Sequence, residues 1–114
     1  MVTIFLSSAV LCIGNICSPV LVGKDTPTGQ FVLYQRLVSD PLYAGSVLQF
    51  KETEDYVFAI HRIWRGKPEQ QRDKRIKSNS AAKRFITSGC INVEDKLYEQ
   101  LLECCQNKTI RIVR

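Results

Sequence analysis

Tyr56-Val57-Phe58-Ala59-Ile60-His61-Arg62-Ile63-Trp64 reads as a β-strand more plainly than any other part of this chain. Aromatic and β-branched side chains crowd it, and these fit a pleated, half-buried surface. Alternation places Val57, Ala59, His61 and Ile63 on one face. His61 is the only histidine among 114 residues, so any imidazole chemistry must happen here. A lone histidine on an apolar face is by default a packed residue, and it becomes more only with a partner from elsewhere in the chain.

Toward the C-terminus the strand runs into a basic segment. Arg65 to Arg84 holds eight basic residues (Arg65, Lys67, Arg72, Lys74, Arg75, Lys77, Lys83 and Arg84) against Glu69 and Asp73. The net charge of +5 is therefore local, because the segment carries +6 and the remainder −1. Two readings stay open: a solvated face, or a surface that steers an anionic partner through a field that salt screens. Periodicity is weak here, with one or two helical turns expected over Ser78 to Arg84.

Beyond it, Phe85 to Val93 is apolar and interrupted by Thr87-Ser88-Gly89. Val93 to Cys105 is the one convincing helix: Leu97, Leu101, Cys104 and Cys105 form a stripe, with Tyr98 and Leu102 beside it. Glu94 and Asp95 suit the positive end of its dipole, and Asn92 is the expected N-cap. Asn107-Lys108 ends the helix, and Thr109 to Val113 alternates as a closing strand.

Toward the N-terminus, Ser46 to Phe50 is a short strand, Ser39-Asp40-Pro41 a break, and Gln30 to Leu37 one alternating strand with Phe31 and Leu33 on one face. Lys24-Asp25-Thr26-Pro27-Thr28-Gly29 is a loop. Met1 to Leu6, Ala9 to Ile13 and Ile16 to Val22 are short apolar runs, with Gly14-Asn15 a turn. Met1 to Cys17 is apolar enough for a signal peptide but lacks a positive n-region and an A-x-A-like cleavage site, so it reads as the first strands. The expected fold class is mainly β, with mixed strands and one or two helices late in the chain. Residues 1–114 form a single domain with a basic insertion at about 65–84.

A hydrophobic content of 45% excludes disorder, and no run of about 18 apolar residues offers a membrane span. Five cysteines are an odd number, so one thiol stays free or pairs outside the chain. No CxxC or Cys/His spacing suggests zinc. Cys12, Cys104 and Cys105 sit among aliphatic residues and read as small core residues, not a disulfide framework. Cys90 stands apart. Gly89 before it allows a tight turn and close approach of a ligand, and a helix starting just after it can lower a thiol pKa. Cys90 with His61 supplies the nucleophile and base of acyl transfer.

Three stretches together resemble the catalytic domain of the L,D-transpeptidases, the YkuD type. Thr26-Pro27-Thr28-Gly29-Gln30-Phe31 is similar to the TPxGxF loop. Ala59-Ile60-His61 is similar to the strand carrying the catalytic histidine. Thr87-Ser88-Gly89-Cys90-Ile91-Asn92-Val93 resembles the [ST]-x-G-C-[IV]-[RN]-[VM] nucleophile motif. The pieces occur in the family's order over about residues 16 to 113. The sequence departs from the pattern at Arg62, where the family has Gly or Ser, and at Ser88, often His or an aromatic. The spacing from His61 to Cys90 is also long, and the basic segment fills it beside the site, where the family carries a lid or loop.

The resemblance implies a YkuD-like β-sandwich and a cysteine acyltransferase acting on peptidoglycan stem peptides without metal or organic cofactor. It makes Cys90 the nucleophile and His61 the base, with a backbone carbonyl near Arg62 orienting the imidazole. The backbone around Ser88, Gly89 and Cys90 becomes the oxyanion site. Thr87, Thr28, Gly29 and Asn92 fall on the substrate side, and Asn92, where many relatives carry Arg, is expected to order the turn more than to touch substrate. Such an enzyme works in the periplasm or cell wall. Export could use a segment outside this sequence. It could instead use a dedicated secretion machine, which would suit a small antibacterial effector with an immunity partner.

Two other readings compete. A sortase-like transpeptidase also uses Cys and His, but leaves the Thr26–Gly29 loop unexplained and has only Arg111 as its arginine. A small basic binding module for nucleic acid or another anionic partner would use Arg65 to Arg84. That segment lacks interleaved aromatics and matches no nucleic-acid-binding pattern, so no nucleic-acid partner is expected.

Overall fold

The computed structural model describes residues 1–114. Strand alternation is clearest where two edges of the sequence meet. β1 (Val2–Phe5) buries Val2 and Ile4, and β11 (Thr109–Val113) buries Ile110 and Ile112. The two strands pair in parallel with Val2 opposite Ile110 and Ile4 opposite Ile112, so four aliphatic side chains share one face. Burying each is worth roughly 1.5–3 kcal/mol. β2 (Val10–Ile13) and β3 (Ile16–Pro19) extend this sheet through a two-residue turn with Gly14 at φ 60°. β5 (Gly29–Val32) closes it on the other side, giving the order β3-β2-β1-β11-β5.

The second sheet has the order β10-β8-β7-β6, built from β6 (Tyr34–Leu37), β7 (Ser46–Glu52), β8 (Val57–Arg62) and β10 (Ile91–Val93). β8 pairs antiparallel with β7 and parallel with β10, which sets Asn92 opposite His61. β4 (Val22–Gly23) and β9 (Phe85–Thr87) form a small parallel pair. The helix α2 (Asp95–Cys104) packs Tyr98 and Leu101 into one 18-residue core that takes side chains from both large sheets. The protein is thus mainly β with mixed sheets, and its helices, α2 and the single turn α1 (Arg72–Arg75), come late in the chain. No helix is long and apolar enough to cross a membrane.

Several expectations are corrected. Gln30 to Leu37 is two strands in different sheets. The chain bends at Leu33, whose side chain is fully buried while its backbone N–H and C=O bond to Lys108 and Asn107. Leu37 lies on the exposed edge. Helix α2 begins two residues late, because Asn92 and Val93 are held in β10 by pairing with β8; its N-cap is Glu94, not Asn92. Helical turns in the basic segment fall at 68–70, 72–75 and 81–84, so the turn expected over 78–84 is shorter and two more lie upstream.

The cysteines are corrected too. Cys12 is bonded to Cys17 and Cys104 to Cys105. Cys12 and Cys17 occupy directly opposed positions of the β2–β3 hairpin, where Cβ atoms face each other. Cys90 is the free thiol that the odd count requires.

The basic segment is anchored at two points. Ile76 is fully buried in a small cluster with Leu21 and Ile63. The buried Arg84 donates from Nε to the Ala9 carbonyl (3.2 Å) and from Nη2 to the Ser8 carbonyl (2.7 Å), and also reaches the Ser78 carbonyl. Three carbonyls thus replace the water that its charge loses.

Candidate active site

β8 delivers His61 and β10 follows directly on Cys90, so their parallel pairing brings the two residues to one end of the same sheet. Both line a cavity of about 240 Å³ with Val38, Val47, Val57 and Ala59. Both also line an adjoining cavity of about 150 Å³ with Tyr56, Trp64, Arg72, Thr87 and Ser88. Tyr43 borders both. The face that alternation gave to Val57, Ala59 and His61 is therefore the floor of a cleft.

His61 is buried and its Nδ1 lies 2.6 Å from the carbonyl oxygen of Arg62. A carbonyl only accepts, so Nδ1 carries the proton and Nε2 keeps its lone pair. Tyr43 packs edge-on against the imidazole with ring centroids 4.8 Å apart. Burial pushes His61 down to about 4, with the Arg72 charge adding to this and the Arg62 carbonyl opposing it. The ring is neutral at pH 7 and free to accept a proton.

The Cys90 sulfur receives the Tyr56 hydroxyl at 3.7 Å and donates toward the Val57 carbonyl at 3.6 Å. Burial pushes the Cys90 thiol up. The Ala59 backbone, the Tyr56 hydroxyl and the Arg72 charge pull the other way. Tyr56 itself is pushed up to about 12, by burial first and then by Cys90. Cysteine and histidine thus both rest neutral in the cleft, each with its own partners.

The turn before Cys90 is held from three directions. Thr87 Oγ1 accepts the Gly89 N–H (3.2 Å) and donates to the Cys90 carbonyl (2.6 Å). Thr26 Oγ1 donates to the Gly89 carbonyl (2.9 Å) and accepts the Gly23 N–H (3.0 Å). A Cβ on Gly89 would lie 2.6 Å from Cε1 of Phe58, so any larger residue there must displace the Phe58 ring. The Gly89 N–H is spent on Thr87, while the N–H groups of Ser88 and Cys90, beside the free thiol, have no protein acceptor.

The other expected site residues are placed differently. The Arg62 side chain turns away, stacking 4.4 Å over the Tyr98 ring and pairing with Asp95 at 3.7 Å, and only its carbonyl meets His61. Asn92 is fully buried; its Oδ1 accepts the Trp64 N–H and Arg72 Nη1, each at 3.0 Å. It orders the neighbouring loop and does not line the cleft. Thr28 and Gly29 line a separate depression with Arg111 and Val113, because the chain turns outward after Pro27 to join β5 to β11. Within that loop Thr26 is the residue that reaches the site.

Tyr43, Tyr56, Trp64 and Arg72 were not anticipated. Tyr56 and Trp64 are the end residues of the strand read from sequence and lie just outside β8 as it forms, and Arg72 is one charge among eight. Tyr43 carried no signal, since it follows a Pro-containing break.

Compared by sequence, the chain matches no family model and no curated protein. Compared by structure, it matches the L,D-transpeptidase (Yku) from Stackebrandtia nassauensis with a TM-score of 0.62 at 12% identity, over 99% of this chain and 54% of that one. It matches L,D-transpeptidase 3 from Mycobacterium tuberculosis with a TM-score of 0.65 at 10% identity, over 99% and 60%. L,D-transpeptidase 1 from the same organism gives 0.57 at 15%, over 99% and 58%. The chain shares the L,D-transpeptidase fold. It spans between half and three-fifths of the length of these structures, and at such identities the likeness is one of fold.

Proposed function

We propose that the protein is a cysteine-dependent L,D-transpeptidase acting on peptidoglycan tetrapeptide stems. One observation carries this reading: the single free thiol and the single histidine share a cleft, with the histidine locked in the tautomer that can accept the thiol proton. The shared fold with L,D-transpeptidases supports the substrate class.

In the first half-reaction Cys90 Sγ attacks the carbonyl that precedes the terminal D-amino acid, as His61 Nε2 takes the thiol proton. The N–H groups of Ser88 and Cys90 receive the developing oxyanion. The tetrahedral intermediate collapses to a thioester, the C–N bond breaks, and His61 returns its proton to the leaving amine. The Arg62 carbonyl stabilises the transient imidazolium through Nδ1–H. In the second half-reaction an amine or water attacks the thioester and restores the thiol. A stem amine gives a cross-link, a free D-amino acid gives exchange, and water gives L,D-carboxypeptidase action. The site of action is the periplasm or cell wall, where a small antibacterial effector would meet the same substrate.

Purified muropeptides incubated with the protein and resolved by mass spectrometry test the reading. Loss of the terminal D-amino acid, or its exchange for a labelled one, is expected with the wild type and absent with Cys90→Ala. Unchanged tetrapeptides with the wild type would overturn the proposal.

A further inference from the structure

The two wings of the cleft differ in charge. Arg36 borders the larger, apolar wing, but its guanidinium is neutralised by Glu52 at 3.6 Å. Arg72 borders the smaller wing and forms no salt bridge. Its Nε donates to Gln70 Oε1 (2.9 Å) and its Nη1 to Asn92 Oδ1 (3.0 Å), both neutral acceptors. Its guanidinium stacks 5.0 Å from the Trp64 ring, and Nη2 has no protein acceptor. The nearest acid along the chain, Asp73, is taken by Arg65 at 2.6 Å.

A half-buried arginine held open by neutral partners is a pre-oriented fork for a planar anion. It is the only cation on this wing, with the Ser88, Tyr43 and Tyr56 hydroxyls beside it. Cys90 and His61 sit on the wall common to both wings. In the residue that leaves during acyl transfer, the carboxylate carbon lies two bonds from the scissile nitrogen, about 2.5 Å away. With the scissile carbonyl on Sγ and the leaving residue in the Arg72 wing, that carboxylate lies in the same wing as the guanidinium.

Resting on the proposed function, we infer that Arg72 binds the terminal carboxylate of the leaving residue, which restricts the site to stems ending one residue past the scissile bond. Asn92 and Trp64 are its positioning residues. The basic segment then contributes one charge to the chemistry, while Lys74 and Arg75 border a different surface.

Two experiments separate this inference from the reading beneath it. In the first, Cys90 is alkylated with iodoacetate or iodoacetamide, which share size and mechanism but differ in charge. In both, a C–S bond forms as C–I breaks, iodide leaves and the thiol proton passes to His61 and then solvent. Arg72→Gln should lower the iodoacetate-to-iodoacetamide rate ratio by about tenfold, the worth of a charge-assisted hydrogen bond. Arg72→Lys should retain part of the ratio. An equal slowing of both reagents would mean that Arg72 acts on the sulfur alone, and would overturn the inference. In the second, the unaltered protein is given a tetrapeptide stem as its free acid or its C-terminal amide, and the acid should react at least about tenfold faster in kcat/KM. Equal conversion of acid and amide overturns the carboxylate anchor and leaves the transpeptidase reading standing. An iodoacetate preference with no conversion of either peptide sustains an anion site and overturns the substrate.

Discussion

Thr26→Val replaces a hydroxyl by a methyl of nearly the same volume and removes two buried hydrogen bonds at once. Thr26 is 2% exposed, so no solvent replaces its Oγ1. The Gly23 N–H and the Gly89 carbonyl are both left without a partner. Each orphaned buried group costs about 1–3 kcal/mol, so the variant should lose about 2–6 kcal/mol in all. For a chain of this length that is a fall in Tm of about 8–24 °C. Thr26→Ser keeps the hydroxyl and gives up one methyl, a loss of about 1 kcal/mol. Urea unfolding followed by fluorescence of Trp64, the only tryptophan, gives both values, with circular dichroism as a check on two-state behaviour. Activity should fall further than stability predicts, since the Gly89 carbonyl fixes the turn that aims Cys90. If the valine and serine variants unfold at the same urea concentration, Thr26 is not the brace described.

Three further outcomes are expected. His61 sits near 4 when folded against 6.5 for an ordinary histidine, so the unfolded chain binds a proton that the folded chain refuses between those values. Stability should therefore fall as pH drops from about 6.5 to 4, by about 3 kcal/mol, and His61→Asn should flatten that slope in urea titrations. Gly89→Ala should cost about 1–3 kcal/mol through its clash with Phe58, and Phe58→Leu in the same chain should recover part of it; an additive double variant would refute the contact. Without reductant, native protein treated with iodoacetamide should gain one adduct, on Cys90, with a rate that climbs steeply with pH because burial raises the thiol. Labelling of Cys12, Cys17, Cys104 or Cys105 under these conditions would contradict the pairing.

The strands and the turn that carries the free thiol were legible because both are written in local sequence. Alternation at Thr109–Val113 and the aromatic run before Trp64 gave the sheet faces, and the glycine before Cys90 announced the turn. The sheet switch at Leu33 left no such mark, since one alternating run serves two strands when the chain bends between them. Asn92 as an N-cap was a sound local reading that lost to pairing with β8, a contact across 31 positions of sequence. Cys12 was read singly, whereas its meaning lies in its hairpin register with Cys17. Arg72 was hidden among eight similar charges, and only its placement beside Trp64 and Asn92 distinguishes it. Thr26 and the pair Thr28 and Gly29 share one loop motif, and only the direction of each side chain separates the brace from the surface.

Intact-protein mass spectrometry of the thioester tests the central claim most directly. A tetrapeptide stem mixed with the wild type and quenched in acid should add the mass of the donor tripeptide acyl group. Proteolysis should then place it on Cys90. His61→Ala should accumulate far less of it, and Cys90→Ala none. Turnover of the stem by Cys90→Ala, or an acyl group found on any other side chain, would contradict the account.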